Sequence, residues 1–111
     1  MIKTILIVIL TIAIATFNFI TPVSATDLEK GTAIFQAHCA GCHANGGNIV
    51  RRGKNLRQKA LKRNQLDNLA AVVELVTNGK NNMSAYRDRL TTQDIEEVSA
   101  YVLQQAANNW R

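Results

Sequence analysis

Proline is nearly missing from this 111-residue chain: Pro22 is the only one, and none follows it. No proline-rich or low-complexity linker divides the sequence, no internal repeat is visible, and the length allows one domain at most. Cysteine is nearly as scarce, with Cys39 and Cys42 alone. A zinc site built on that pair needs two further ligands. Apart from His43, which adjoins Cys42, the chain offers only His38. No stretch alternates apolar and polar residues for long, so strands are not expected. A thioredoxin-like redox pair, which sits in a βαβ setting, goes with them. Aromatic side chains are missing from the one strongly basic stretch, Arg51 to Arg63, which speaks against a nucleic-acid surface.

What is present begins with an export signature. Lys3 supplies a positive start, Ile5 to Ala15 is almost wholly apolar, and Val23-Ser24-Ala25 puts small residues at the cleavage positions. Residues 1–25 read as a signal peptide and 26–111 as the functional domain. Thr4 to Ile20 is nearly long enough to span a bilayer, but Thr11, Thr16 and Asn18 and the small-residue site favour cleavage, leaving nothing embedded in the membrane. The remaining chain is small for a self-sufficient core.

The twelve Lys/Arg and eight Asp/Glu after Ala25 leave a net charge of +4. Seven of those cations, Arg51, Arg52, Lys54, Arg57, Lys59, Lys62 and Arg63, fall within thirteen positions that hold no acid. The rest of the domain is net negative. Such asymmetry steers encounter with an acidic partner surface.

Cys39-Ala40-Gly41-Cys42-His43 is the attachment signature of c-type haem. On a helical turn, positions i, i+3 and i+4 share one face. The two thiols can then meet the vinyl groups of one porphyrin, with the His43 imidazole under the iron. One covalent haem c is the implied cofactor, and it would add a large apolar body to the small core.

The apolar pattern is helical throughout. Asp27 is a candidate N-cap for a first helix from Leu28, with Leu28, Gly31 and Phe35 on one face. Ala44 to Asn48 reads as a loop, and a short helix is expected near Leu56 to Lys62. Asp67 can cap the next helix, which runs to a terminating Gly79. Thr91-Thr92-Gln93-Asp94 resembles a capping box. It precedes a stripe of Ile95, Val98, Tyr101, Val102 and Ala106 that runs nearly to Trp110. The fold class is all-α.

Met83 is the only methionine besides Met1. It lies between two expected helices with enough chain after His43 to wrap over a porphyrin, and is the candidate second axial ligand. His38 is the rival. It directly precedes Cys39, on the proximal side, and cannot easily reach the opposite face. With both axial positions filled the iron can only change oxidation state, which describes an electron carrier and no enzyme. With Met83 off the iron, a haem enzyme or gas sensor is the alternative.

Ala33-Ile34-Phe35, the haem motif, Val76-Thr77-Asn78-Gly79-Lys80, Met83, the run Asp94 to Leu103 and Trp110 together resemble the cytochrome c6 family of oxygenic phototrophs. The resemblance covers nearly the whole domain. It implies a small class I cytochrome c fold, about four helices around one haem, with Gly31 and Tyr101 where the first and last helices cross. It also implies a monomeric carrier in the thylakoid lumen, taking electrons from the cytochrome b6f complex to photosystem I. A periplasmic donor to a terminal oxidase is the runner-up. Two positions depart from the family pattern: Ser84 where proline usually follows the methionine, and Leu75 where glutamine is common. Both leave two readings open, the main photosystem donor and a lower-potential paralogue with another partner.

Overall fold

The computed structural model describes residues 25–111; the expected signal peptide lies outside them except for Ala25. In chain order the helices are α1 (Ala25–His38), α2 (Ala40–His43), α3 (Gln58–Arg63), α4 (Leu69–Asn78) and α5 (Thr92–Ala107). Short 3-10 turns at Ala44–Gly46 and Arg52–Lys54 lie between α2 and α3. Among the described residues the only β pairing is an isolated bridge between Lys80 and Met83. The all-α expectation holds, and none of these helices is long and apolar enough to cross a membrane.

Helix α5 is the spine, because its apolar residues recur at helical spacing. Ile95, Val98, Tyr101, Val102 and Ala106 are all buried. Phe35 of α1 and Val72 and Val76 of α4 pack on this stripe and complete the core. Full burial of each large apolar side chain contributes roughly 1.5–3 kcal/mol. The core is also aromatic at one end: the Phe35 ring lies 5.3 Å from Tyr101 and 5.2 Å from Trp110.

Helix α1 crosses α5 where Gly31 has no side chain. A Cβ there would stand 2.5 Å from the Glu97 carbonyl oxygen and 3.0 Å from the Tyr101 Cβ. Beside the crossing, Lys30 Nζ reaches Asp94 Oδ1 at 3.1 Å and Glu97 Oε2 at 3.6 Å. Half of the Lys30 side chain is exposed, so this pair contributes little to stability.

The caps are local chemistry. At the start of α5 the Thr91 hydroxyl accepts from Asp94 N at 3.0 Å, and Asp94 Oδ2 accepts from Thr91 N at 3.1 Å. This is the expected capping box, worth about 1 kcal/mol. Hydrogen bonds to the Thr91 backbone, then Lys30, hold the Asp94 carboxyl below its ordinary pKa. Two expected caps differ. Asp67 does not cap α4; Asn68 does, because its extended backbone lets Oδ1 accept from Ala71 N at 2.9 Å. Asp67 lies one residue too early for that reach. Asp27 lies inside α1 and not at its start, since helical structure already includes Ala25 and Thr26.

Candidate haem site

Cys39 sits at the junction of α1 and α2. It takes a helix-like φ/ψ of −118°/−34°, and its carbonyl accepts from both Cys42 N (3.2 Å) and His43 N (2.9 Å). The motif is therefore one closed turn, which brings positions 39, 42 and 43 onto one face. Neither cysteine is in a disulfide, and Cys39 is partly buried while Cys42 is exposed. Burial, with a smaller contribution from Cys42, pushes the Cys39 thiol up to about 11. No group of three or more His, Cys, Asp or Glu among the described residues could hold a bare metal ion.

His43 is fixed by a single strong contact. Its Nδ1 lies 2.8 Å from the Gly47 carbonyl oxygen. A carbonyl only accepts, so Nδ1 carries a proton, and in the neutral ring Nε2 is the nitrogen that offers a lone pair. Orientation of a ligating imidazole through its other nitrogen is the usual device at iron and zinc sites. Gly47 is placed by its own N–H bond to Ala44 O at 3.0 Å, and Asn45 and Gly46 take left-handed backbone angles to make that turn.

The segment after the motif is pinned from the far end of the chain. Trp110 Nε1 donates to Leu56 O at 3.0 Å, and Leu56 N donates to Gly46 O at 2.7 Å. The Trp110 indole fills the space a side chain at Gly46 would need. Closer to the motif, Ile49 N donates to Cys42 O at 3.1 Å, which holds the start of the basic stretch beside the turn. Ile49 and Val50 are exposed apolar residues there, 74% and 55% accessible. All seven cations from Arg51 to Arg63 are exposed, and none forms an ion pair among the described residues.

Met83 belongs to a tight four-residue turn. Lys80 N donates to Met83 O and Met83 N to Lys80 O, both at 3.0 Å, with Asn81 at a positive φ of 53°. Gly79 ends α4 as expected, with φ 68° and its N–H on Leu75 O. A Cβ at Gly79 would stand 2.6 Å from Met83 O and 2.7 Å from Ala85 N, so the glycine lets the turn fold back on the helix end. Tyr86 N to Val76 O at 2.9 Å closes the loop. Ser84 is exposed, and this segment, which holds no proline, is fixed by these bonds and by the glycine. Leu75 is half-buried on α4 and lies outside the packed core.

These residues fit a haem. Cys39, Ala40, Leu56, Leu66, Val73, Met83 and Leu90 pack on the core yet stay partly open, and partly open apolar side chains are what a large flat apolar group packs against. The lone pair of His43 and the thioether of Met83 are a suitable donor set for haem iron. The motif turn and the methionine loop are joined by Tyr86, whose hydroxyl donates to His38 O at 3.0 Å. The His38 side chain is exposed, its ring edge-on to Tyr86 at 5.9 Å. Reading the chain by residue type singles out neither Tyr86 nor Gly47, whose roles come from the folded geometry.

The comparisons with known proteins agree with this geometry. A family model described as cytochrome c oxidase, cbb3-type, subunit III matches residues 26–102. A cytochrome c6-like protein of Nostoc sp. strain PCC 7120 is 52% identical over 107 residues, covering 92% of this chain and 96% of its own. Cytochrome c6 of the same organism is 43% identical over 104 residues, covering 94% of each. Among solved structures, cytochrome c6C from Synechococcus sp. PCC 7002 superposes with a TM-score of 0.70 at 57% identity, over 71% of this chain and 96% of that one. Cytochrome c6 from the diatom Phaeodactylum tricornutum gives a TM-score of 0.74 at 38% identity, over 76% and 99%.

Proposed function

The chain belongs to the cytochrome c6 family, and we propose that Cys39 and Cys42 would hold its haem as thioethers while His43 and Met83 would ligate the iron. The protein is an electron carrier with one covalently attached haem c, and not an enzyme. The observation that carries the His43 assignment is the Nδ1 contact with Gly47 O, which leaves Nε2 for the iron.

The haem, when bound, supplies a reversible one-electron couple. The chain's own residues decide what that couple can be used for. Gly47 O orients the His43 ring, and the Lys80–Met83 turn presents the Met83 thioether, a ligand that raises the potential relative to harder donors. With both His43 and Met83 as ligands, the iron would keep no open position for a substrate. Residues 1–25 act as an export signal that is removed, so that the carrier works in the thylakoid lumen, or in the periplasm in a second reading.

The partners we propose are acidic docking surfaces on membrane complexes: the cytochrome b6f complex as donor, and photosystem I or a terminal oxidase as acceptor. Ile49 and Val50 offer an exposed apolar contact beside the haem turn, flanked by Arg51, Arg52 and Lys54. Fast, weak docking suits a carrier, and charge attraction raises the on-rate more than the affinity. Leu75 and Ser84, the two departures from the family pattern, support a second reading, a lower-potential member of the family with another partner.

The test is the rate of electron exchange with each complex as salt rises, over the range where the Debye length falls from about 30 Å to about 8 Å. The rate should fall with salt. Charge reversal at Arg51, Arg52 and Lys54 should reproduce the high-salt rate with an unchanged haem spectrum. Rates indifferent to both would remove the basic stretch from docking.

A further inference from the structure

The carbonyl of His38 ends helix α1, where the last carbonyls of a helix lack a backbone donor. The next turn does not supply one: Cys42 N and His43 N both donate to Cys39 O. The donor comes instead from 48 residues along the chain, as the Tyr86 hydroxyl, at 3.0 Å. Tyr86 is held on three sides. Its backbone N–H bonds Val76 O at 2.9 Å, the Arg89 guanidinium lies over its ring at 4.8 Å, and the His38 imidazole meets the ring edge-on at 5.9 Å. Its backbone carbonyl accepts from Arg89 N and Leu90 N, which fixes the chain just beyond it.

Tyr86 follows Met83 by three residues, at the foot of the same turn. The hydroxyl therefore fastens the segment that carries Met83 directly to the residue before Cys39. It is the one hydrogen bond among the described residues that joins the Met83 loop to the end of α1, one residue before the haem-binding turn. We propose that Tyr86 is a positioning residue for the Met83 ligand, a latch that keeps the thioether seated in a loop with no proline. This rests on the assignment of Met83 to the iron. A loop that opens must break the bond to His38 O, so its loss favours every state in which Met83 has left its place.

The experiment uses the haem-loaded protein and the variants Tyr86→Phe, Arg89→Ala and Met83→Ala. Phenylalanine keeps the ring and its packing and removes only the hydroxyl. Loss of one such bond corresponds to about a fivefold change in an equilibrium. Cyanide must displace Met83 to bind the oxidised iron, so Tyr86→Phe should bind cyanide about fivefold more tightly than wild type. Amide hydrogen exchange at residues 80–86 should also quicken, while exchange within α5 stays the same. Arg89→Ala, which leaves the hydroxyl in place, should move cyanide affinity less than Tyr86→Phe. Unchanged exchange at 80–86 in Tyr86→Phe would overturn the latch. Faster exchange with unchanged cyanide affinity would show a loop contact with no hold on the ligand, and would also overturn it. Failure of the ligand assignment itself reads out separately, as a Met83→Ala variant with wild-type cyanide affinity.

Discussion

Gly31 of α1 and Tyr101 of α5 meet so closely that a Cβ on the glycine would lie 3.0 Å from the tyrosine Cβ, with the Glu97 carbonyl closer still at 2.5 Å. The space opposite Gly31 is therefore backbone, which cannot rotate away. A mid-helix glycine costs about 1 kcal/mol relative to alanine; here the close crossing offsets it.

Gly31→Ala should therefore destabilise despite its better helix propensity. The overpacking cost is about 1–3 kcal/mol, and thermal unfolding of the haem-loaded protein should show it as a lowered Tm. A raised Tm would mean that the helices separate freely at this point.

Acid stability should depend on Asp94. Its carboxyl is held below the ordinary value by the Thr91 backbone and Lys30. A depressed folded pKa contributes stability that is complete above the unfolded value and lost as pH falls through the folded one. Asp94→Asn should thus lower the Tm at neutral pH, and the gap to wild type should close as pH drops below the ordinary carboxylate value of 3.8. A gap that is constant with pH would assign the effect to the cap's shape and not to its charge.

Leu75 should hold the potential down. A neutral hydrogen-bonding group in place of an aliphatic one changes local interactions by about 1 kcal/mol, equivalent to about 40 mV for one electron. Leu75→Gln should shift the midpoint potential upward by that order in a redox titration. No change, or a fall, would place the control of potential elsewhere in the site.

What was legible in the sequence was local. The haem turn, the Thr91–Asp94 box and the Gly79 stop each depend on residues within a few positions, where side-chain type decides the backbone. The apolar stripe of α5 was legible for the same reason, through helical spacing. Asp67 and Asn68 are adjacent cap formers, and composition could not choose between them; the reach of Asn68 Oδ1 to Ala71 N did. The latch from Tyr86 to His38 and the Trp110 bond to Leu56 join residues 48 and 54 positions apart. Such partners are selected by the packed fold, and no pattern along the chain marks them.

The most direct measurement is the oxidised absorption spectrum of Met83→Ala beside those of wild type and His38→Ala. His38→Ala keeps the backbone carbonyl that Tyr86 bonds, so it tests the imidazole alone. Wild type and His38→Ala should both show the weak long-wavelength band that marks methionine–iron ligation, and Met83→Ala should lack it and bind carbon monoxide when reduced. A band that survives in Met83→Ala, or disappears in His38→Ala, would contradict the assignment of Met83 to the iron.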